Sequence, residues 1–218
     1  MFSALKVFVA VFLISLAVFS AIAFLASVPY PYDQYFALYT LGSSGTAEHY
    51  FPGDVVDILP GTRMSWYVAV YNHMGTVQLV KVTFTILNQT MVGPDQLNNT
   101  PSARESFYET TRLLVTNETW ILPVSWSILN ATSTPPPPTP PNATSIHSLI
   151  FNGQALTDNV ETEALYGYNY RIVIELWVYN DVSGNFSYVW TANDGARSAW
   201  NQIWFNMTSS CSNLATCL

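Results

Sequence analysis

The chain has 218 residues, half of them apolar and 15% aromatic, but only 10% charged, with a net charge of −7. So large an apolar share supports a proper core and excludes a chain disordered throughout. Lys6 and Lys81 are the only lysines, which excludes the basic stripe that a nucleic-acid binder needs.

From Val7 to Val28 no charge interrupts the apolar run, and as a helix it spans roughly 33 Å at ~1.5 Å per residue. A bilayer's hydrocarbon core is about 30 Å thick, so this stretch crosses it once. Lys6 precedes the run and no Lys or Arg follows until Arg63, a bias that leaves residues 1–6 in the cytoplasm and the remainder outside. Ala21-Ile22-Ala23 has the small-x-small form of a signal-peptidase site, so a cleaved signal peptide is the rival reading. Phe24 and Leu25 carry the apolar run past that site and favour a retained anchor. Tyr30, Tyr32, Tyr35 and Phe36 suit an aromatic belt at the outer membrane surface, or the start of a first strand.

Past Pro29, period-two alternation dominates, which is the mark of half-buried strands. Tyr35 to Leu41 reads as a strand ended by Gly42-Ser43-Ser44-Gly45. Arg63 to Tyr71 sets Met64, Trp66, Val68 and Val70 against Ser65, Tyr67 and Ala69. Gln78 to Leu87 repeats this with Val80, Val82, Phe84 and Ile86, and the turn Asn72-His73-Met74-Gly75 predicts a hairpin between the two. Ser102-x-x-Glu105 has the form of a capping box, which suggests a short helix from Ala103 to Leu113, while its threonines and Tyr108 favour a strand. Trp120 to Ile128 alternates again, and Pro123 within it argues for an edge strand.

Residues 131–145 hold Pro135 to Pro138, Pro140 and Pro141, a stiff extended run. It reads as a glycosylated excursion within one domain, because the first block has too few strands to complete itself. Further strands follow near Ser148 to Phe151, Glu161 to Tyr166, Tyr168 to Asn180, Phe186 to Thr191 and Ser198 to Met207. In the longest, Tyr170, Ile172, Ile174, Leu176 and Val178 share the core face. The expected fold is all-β: an immunoglobulin-like antiparallel β-sandwich over 29–218, outside the cell, behind one N-terminal transmembrane helix at 7–28.

Asn-x-Ser/Thr sequons stand at Asn88, Asn98, Asn117, Asn130, Asn142, Asn185 and Asn206, whereas Asn99 precedes Thr100-Pro101 and is not one. Seven over one exported domain point to a surface solvated by sugar rather than by charge. Cys211 and Cys217, the only cysteines, predict a small disulfide loop near the C-terminus. His49, His73 and His147 have no metal-ligand spacing, and no H-E-x-x-H, G-x-S-x-G, phosphate loop or C-x-x-C is present. The acidic turn Asp158 to Glu163 reads as solvated, with calcium binding as the rival.

Trp177 and Tyr179 fall opposite the core face of their strand, and Trp200 and Trp204 share another face. They fit either a core packed on both sides of the sheet or a contact with a protein partner, where Trp and Tyr are enriched.

Several stretches carry a resemblance: Tyr35-Phe36-Ala37-Leu38-Tyr39-Thr40-Leu41-Gly42, Gly45-Thr46-Ala47-Glu48 with Tyr50 and Pro52, and Gly61. With them go Val70-Tyr71-Asn72-His73, Leu165-Tyr166, Tyr170-Arg171 and Leu176-Trp177-Val178. In this order they resemble the archaeal membrane-anchored family catalogued as domain of unknown function sixteen-sixteen, over about Tyr35 to Asn180. Met74 replaces that family's corner Glu, and the Pro-rich insert and the tail after Asp181 lie outside the pattern. The resemblance implies a cell-surface β-domain and supplies no catalytic residue.

The expected function is that of a membrane-anchored, N-glycosylated envelope or accessory subunit and not an enzyme. Its expected partners are membrane lipid, other envelope proteins or copies of itself, and N-linked glycans, with no cofactor. A filament subunit is the alternative, through a pilin-like helix core or through donation of the strand Asp33 to Leu41 to a neighbour. An extracellular hydrolase is a third reading, for which no carboxylate pair stands out.

Overall fold

The structure is a computed structural model, and it describes residues 2–27, 33–134, 143–165, 169–193 and 195–207. The chain divides into two units, Met1–Asp33 and Gln34–Leu218.

The first unit is the helix α1, Phe2–Ser27. Its stretch Lys6–Ser27, 22 residues, is long and apolar enough to cross a membrane. Phe8, Phe12, Leu13, Ile14, Phe19 and Leu25 are all exposed, so apolar side chains cover every side of the helix. A helix with no polar face gains nothing from lying on a globular core and is suited to apolar surroundings on all sides. Val28, Tyr30 and Tyr32 lie outside the described residues, while Tyr35 and Phe36 begin the first strand of the next unit.

The second unit is built of strands, in chain order β1 (Tyr35–Leu41), β2 (Asp57–Ile58), β3 (Met64–His73), β4 (Gln78–Asn88), β5 (Tyr108–Leu114), β6 (Thr119–Thr134) and β7 (Ala143–Phe151). There follow β8 (Gln154–Leu156), β9 (Thr162–Leu165), β10 (Tyr170–Asn180), β11 (Asn185–Ser187), β12 (Trp190–Ala192), β13 (Gly195–Arg197) and β14 (Ala199–Met207). One sheet runs β1-β3-β6-β7-β8 with β9 also on β7, and the other runs β2-β14-β10-β4-β5 with β11 also on β10. β12 and β13 form a separate ribbon.

The alternation read from the sequence is what joins the sheets. Met64, Trp66, Val68 and Val70 of β3 and Val124, Trp126 and Ile128 of β6 are buried, as are Val80, Val82, Phe84 and Ile86 of β4 and the core set of β10. The rings interlock: Trp66 and Trp126 stand 5.2 Å apart edge-on, Trp126 and Phe205 5.3 Å, and Phe84 and Phe151 4.8 Å. This is an antiparallel sandwich of immunoglobulin-like type, with β10 between β4 and β14. It departs from the immunoglobulin order in one respect. The strand beside β3 is the earlier of the pair, β6, and β7 lies outside it.

Three local expectations need correction, and the helix-or-strand alternative after Ser102 resolves as strand. β3 and β4 are not a hairpin: β3 pairs with β1 and β6, β4 with β5 and β10, and the chain between them crosses from one sheet to the other. Alternation shows that both are strands but not that their apolar faces oppose each other across the core. Asn72 holds the crossing. Its Nδ2 donates to the carbonyls of Thr76, Leu114 and Val115 at 2.9, 3.0 and 3.2 Å, and its Oδ1 accepts from Met74 N at 3.0 Å.

No helix follows Ser102 among the described residues, because its N–H is taken by the Glu175 carboxylate at 2.7 Å and the chain runs on into β5. β6 is interior rather than an edge, yet Pro123 costs it no ladder bond. Ser125 N donates to Asn152 Oδ1 on the β7 side at 2.8 Å. The nitrogen of Pro123, two residues earlier, points the same way, to where β7 has already turned at Asn152-Gly153. That turn has φ of 48° and 84°, the two-residue geometry that Asn-Gly favours.

The third correction is to the bounds of the proline insert. Ala131 to Thr134 pairs with Ile146 to Ala143, so strand continues into both its flanks, while 135–142 lies outside the described residues. β6 and β7 are adjacent strands of one sheet, which makes the insert an excursion within the domain.

Candidate functional site

The site is built on the outer face of the second sheet. In β10 the residues between the core positions are Arg171, Val173, Glu175, Trp177 and Tyr179. Pairing aligns them with neighbours across the sheet: Glu175 with Thr83 and Trp200, Thr83 with Glu109, Trp177 with Lys81, and Arg171 with Trp204. Trp177, Tyr179, Trp200 and Trp204 therefore lie on one face of one sheet, and all four are half-buried.

Much of the cover comes from the chain between β4 and β5. Arg171 Nη2 donates to Met91 O at 2.8 Å, and its Nη1 to Gln202 Oε1 at 2.8 Å. Its guanidinium lies 4.8 Å from the Trp204 ring centroid. Gly93 sits against the same group, where a Cβ would come within 2.8 Å of Nη2. Arg104 pins the end of this segment through Ile86 O at 3.2 Å, Glu161 O at 2.7 Å and the Thr162 hydroxyl. Tyr188 packs on Trp177 with ring centroids 5.6 Å apart, and Phe186 on Tyr179 at 5.5 Å. The face is thus largely a second layer of packing made by the protein itself.

Between the segment 101–106 and strands β4, β5 and β10 a cavity of about 390 Å³ stays open, within the ~300–1,000 Å³ of small-molecule sites. Lys81, Thr83, Ser102, Glu109, Glu175 and Trp177 line it. Lys81 Nζ pairs with Glu109 Oε2 at 3.0 Å and lies 5.6 Å from the Trp177 ring centroid. Trp177 Nε1 donates to Thr83 Oγ1 at 3.2 Å. Glu175 is 3% exposed, and burial pushes its carboxyl pKa up, against the opposing effect of the Ser102 N–H. This cluster escaped notice in the sequence. Its signal was a lone carboxylate inside Ile172-Val173-Ile174-Glu175-Leu176-Trp177, a strand apolar on both faces.

A raised carboxyl pKa means that the folded state holds the proton more tightly than the unfolded chain. Stability is therefore greatest below the ordinary Glu value and falls as pH rises through the raised one. Glu175→Gln keeps the acceptor for Ser102 N–H and is expected to abolish this fall, leaving the variant at least as stable as the parent at pH 8. Thermal melts from pH 4 to 8 check it, and a variant less stable than the parent at pH 8 contradicts it.

The other residues singled out in the sequence are spread over the domain. Asn98, Asn117, Asn130 and Asn185 are exposed and Asn88 is half-buried, whereas Asn206 is 8% exposed with its Nδ2 on Asp57 Oδ1 at 2.6 Å. Asn142, Cys211 and Cys217 lie outside the described residues. His49 Nδ1 meets Asp54 Oδ1 at 2.9 Å, and that hydrogen bond raises the exposed imidazole's pKa. His73 Nδ1 bonds Asn117 Oδ1 at 2.7 Å, and His147 Nδ1 lies 3.4 Å from Glu161 Oε1. Among the described residues no three His, Cys, Asp or Glu side chains gather as a metal site.

Comparison of the sequence with protein-family models finds no match, and comparison with curated proteins finds none.

Proposed function

We propose that the chain is a single-pass membrane protein whose β-sandwich stands on the outer side and binds neighbours there, as an N-glycosylated envelope or accessory subunit. The observation that carries this reading is α1, apolar on every side, joined to a domain with its own core. Kinship with the archaeal family of the resemblance belongs to the same proposal. No catalytic step is assigned.

The filament reading by strand donation meets a specific obstacle. β1 is already paired with β3 of its own chain along seven residues, from Tyr35↔His73 to Leu41↔Tyr67, with Phe36 and Thr40 buried. Donating it would strip one sheet of its edge strand. The anchored subunit is therefore preferred.

Sidedness is tested by Val182→Cys, at a turn position 99% exposed. A membrane-impermeant thiol reagent is expected to label it on intact cells, with the parent protein as control. Labelling only after lysis would overturn the reading. Glycosylation is tested by peptide mapping, with sugar expected on the exposed Asn98, Asn117, Asn130 and Asn185 and Asn206 bare. A chain bare at every sequon would remove the glycoprotein part of the proposal.

A further inference from the structure

We infer that the cavity between residues 101–106 and the outer faces of β4, β5 and β10 binds a neutral saccharide, of one or two sugar rings. The charges in the groove select against the alternatives. Of the two cations in the lining, Lys81 is paired with Glu109 and Arg104 is held by Ile86 O, Glu161 O and the Thr162 hydroxyl, while Glu105 lines the groove as well, so neither cation is left to receive an anion. A cation fares little better. Lys81 occupies the place beside Trp177, and Glu175, biased by burial toward its neutral form, is a weak counter-ion.

A hydroxyl-bearing ring has neither problem. Carboxyl groups accept from sugar hydroxyls without needing a net charge on the ligand, and the hydroxyls of Thr83, Thr85 and Ser106 both donate and accept. Trp177, its indole half-buried and flanked by Lys81 and Tyr188, adds an apolar part of the wall for the C–H groups of a pyranose. Glu175 is the fixed point of the groove, held by the Ser102 N–H at 2.7 Å within a fully paired strand. A shallow polar groove of this kind binds weakly one ring at a time, and gains strength only when many copies meet many glycans on a surface.

The test uses the full chain in lipid nanodiscs, since maltoside detergents would themselves carry sugar into the assay. Methyl glycosides of glucose, mannose and galactose are the probes, read by saturation-transfer NMR and by titration calorimetry. At least one is expected to bind with a Kd of about 1 mM, and Glu175→Gln and Glu109→Gln are each expected to weaken it about tenfold. Glu109 is an exposed side chain and its replacement leaves the core untouched, so loss of binding there is not loss of fold. Competition by free sugar against glycan-bearing vesicles distinguishes a soluble sugar from a surface glycan as the source. No transfer to any of the three glycosides, or transfer undiminished in both variants, would overturn the inference. Binding in nanodiscs does not depend on which side of the cell membrane the domain faces, so its failure and that of the anchored-subunit reading are separate results.

Discussion

Asn72→Ala is expected to lower the melting temperature by about 6–12 °C, the consequence of losing about 3 kcal/mol in a domain of this size. The side chain is fully buried, its two Nδ2 hydrogens shared among three carbonyls and its Oδ1 accepting from Met74 N. Its main chain is also engaged, its N–H with Glu118 O at 3.0 Å and its O with Asn117 N at 2.7 Å, so the crossing cannot relax to let water in. Alanine leaves the buried partners, Leu114 O and Met74 N, without this side chain, and it is their desolvation which costs. Asn72→Asp keeps the acceptor for Met74 N but faces three carbonyls with a carboxylate, and is expected to be worse still. Differential scanning calorimetry of the three proteins decides it. A melting point for the alanine variant within a degree or two of the parent would mean that the crossing is held by packing alone.

Trp66→Ala is the other large effect, at about 3–5 kcal/mol from cavity formation and lost contacts. Trp66 is 1% exposed and meets Trp126 at 5.2 Å and Phe51 at 6.2 Å, both edge-on. Its Nε1 donates to Tyr50 O at 2.6 Å, which ties the loop after β1 to the core. Trp66→Phe refills most of the volume but not the hydrogen bond, and is expected to cost about 1–2 kcal/mol. Denaturant unfolding of both variants measures the two contributions apart. Equal losses in both would place the effect in the hydrogen bond rather than in the ring.

What the sequence made legible is local. Period two located nearly every long strand, and in β10 it separated Tyr170, Ile172, Ile174, Leu176 and Val178 from the outer set correctly. Partners were less legible. A four-residue turn after His73 has the same appearance whether the chain folds back on its own sheet or crosses to the other. Only the buried Asn72, bonded to residues 42 and 43 positions away, tells them apart. Pro123 shows the same limit, since its position demands an unpaired nitrogen but not an edge along the whole strand.

The outer aromatic face was legible as residues and not as a surface. Alternation put Trp177 and Tyr179 opposite the core, but neither their juxtaposition with Trp200 and Trp204 nor the packing of Tyr188 and Phe186 on them, nor the bonds of Met91 to Arg171 and of Ser102 to Glu175, has a sequence period. The groove that remains depends on Glu175 and Glu109, which lie on strands 66 residues apart in sequence and meet only through β4.

The anchored-subunit account rests on α1 being kept. Intact mass and N-terminal sequence of the protein extracted from its native membrane test this most directly. The account predicts a chain beginning at Met1 or Phe2 that leaves the membrane only with detergent, and a mass above that of the peptide by its glycans. A chain beginning between Phe24 and Tyr32, released without detergent, would contradict it and return the protein to secretion or to strand-donated assembly.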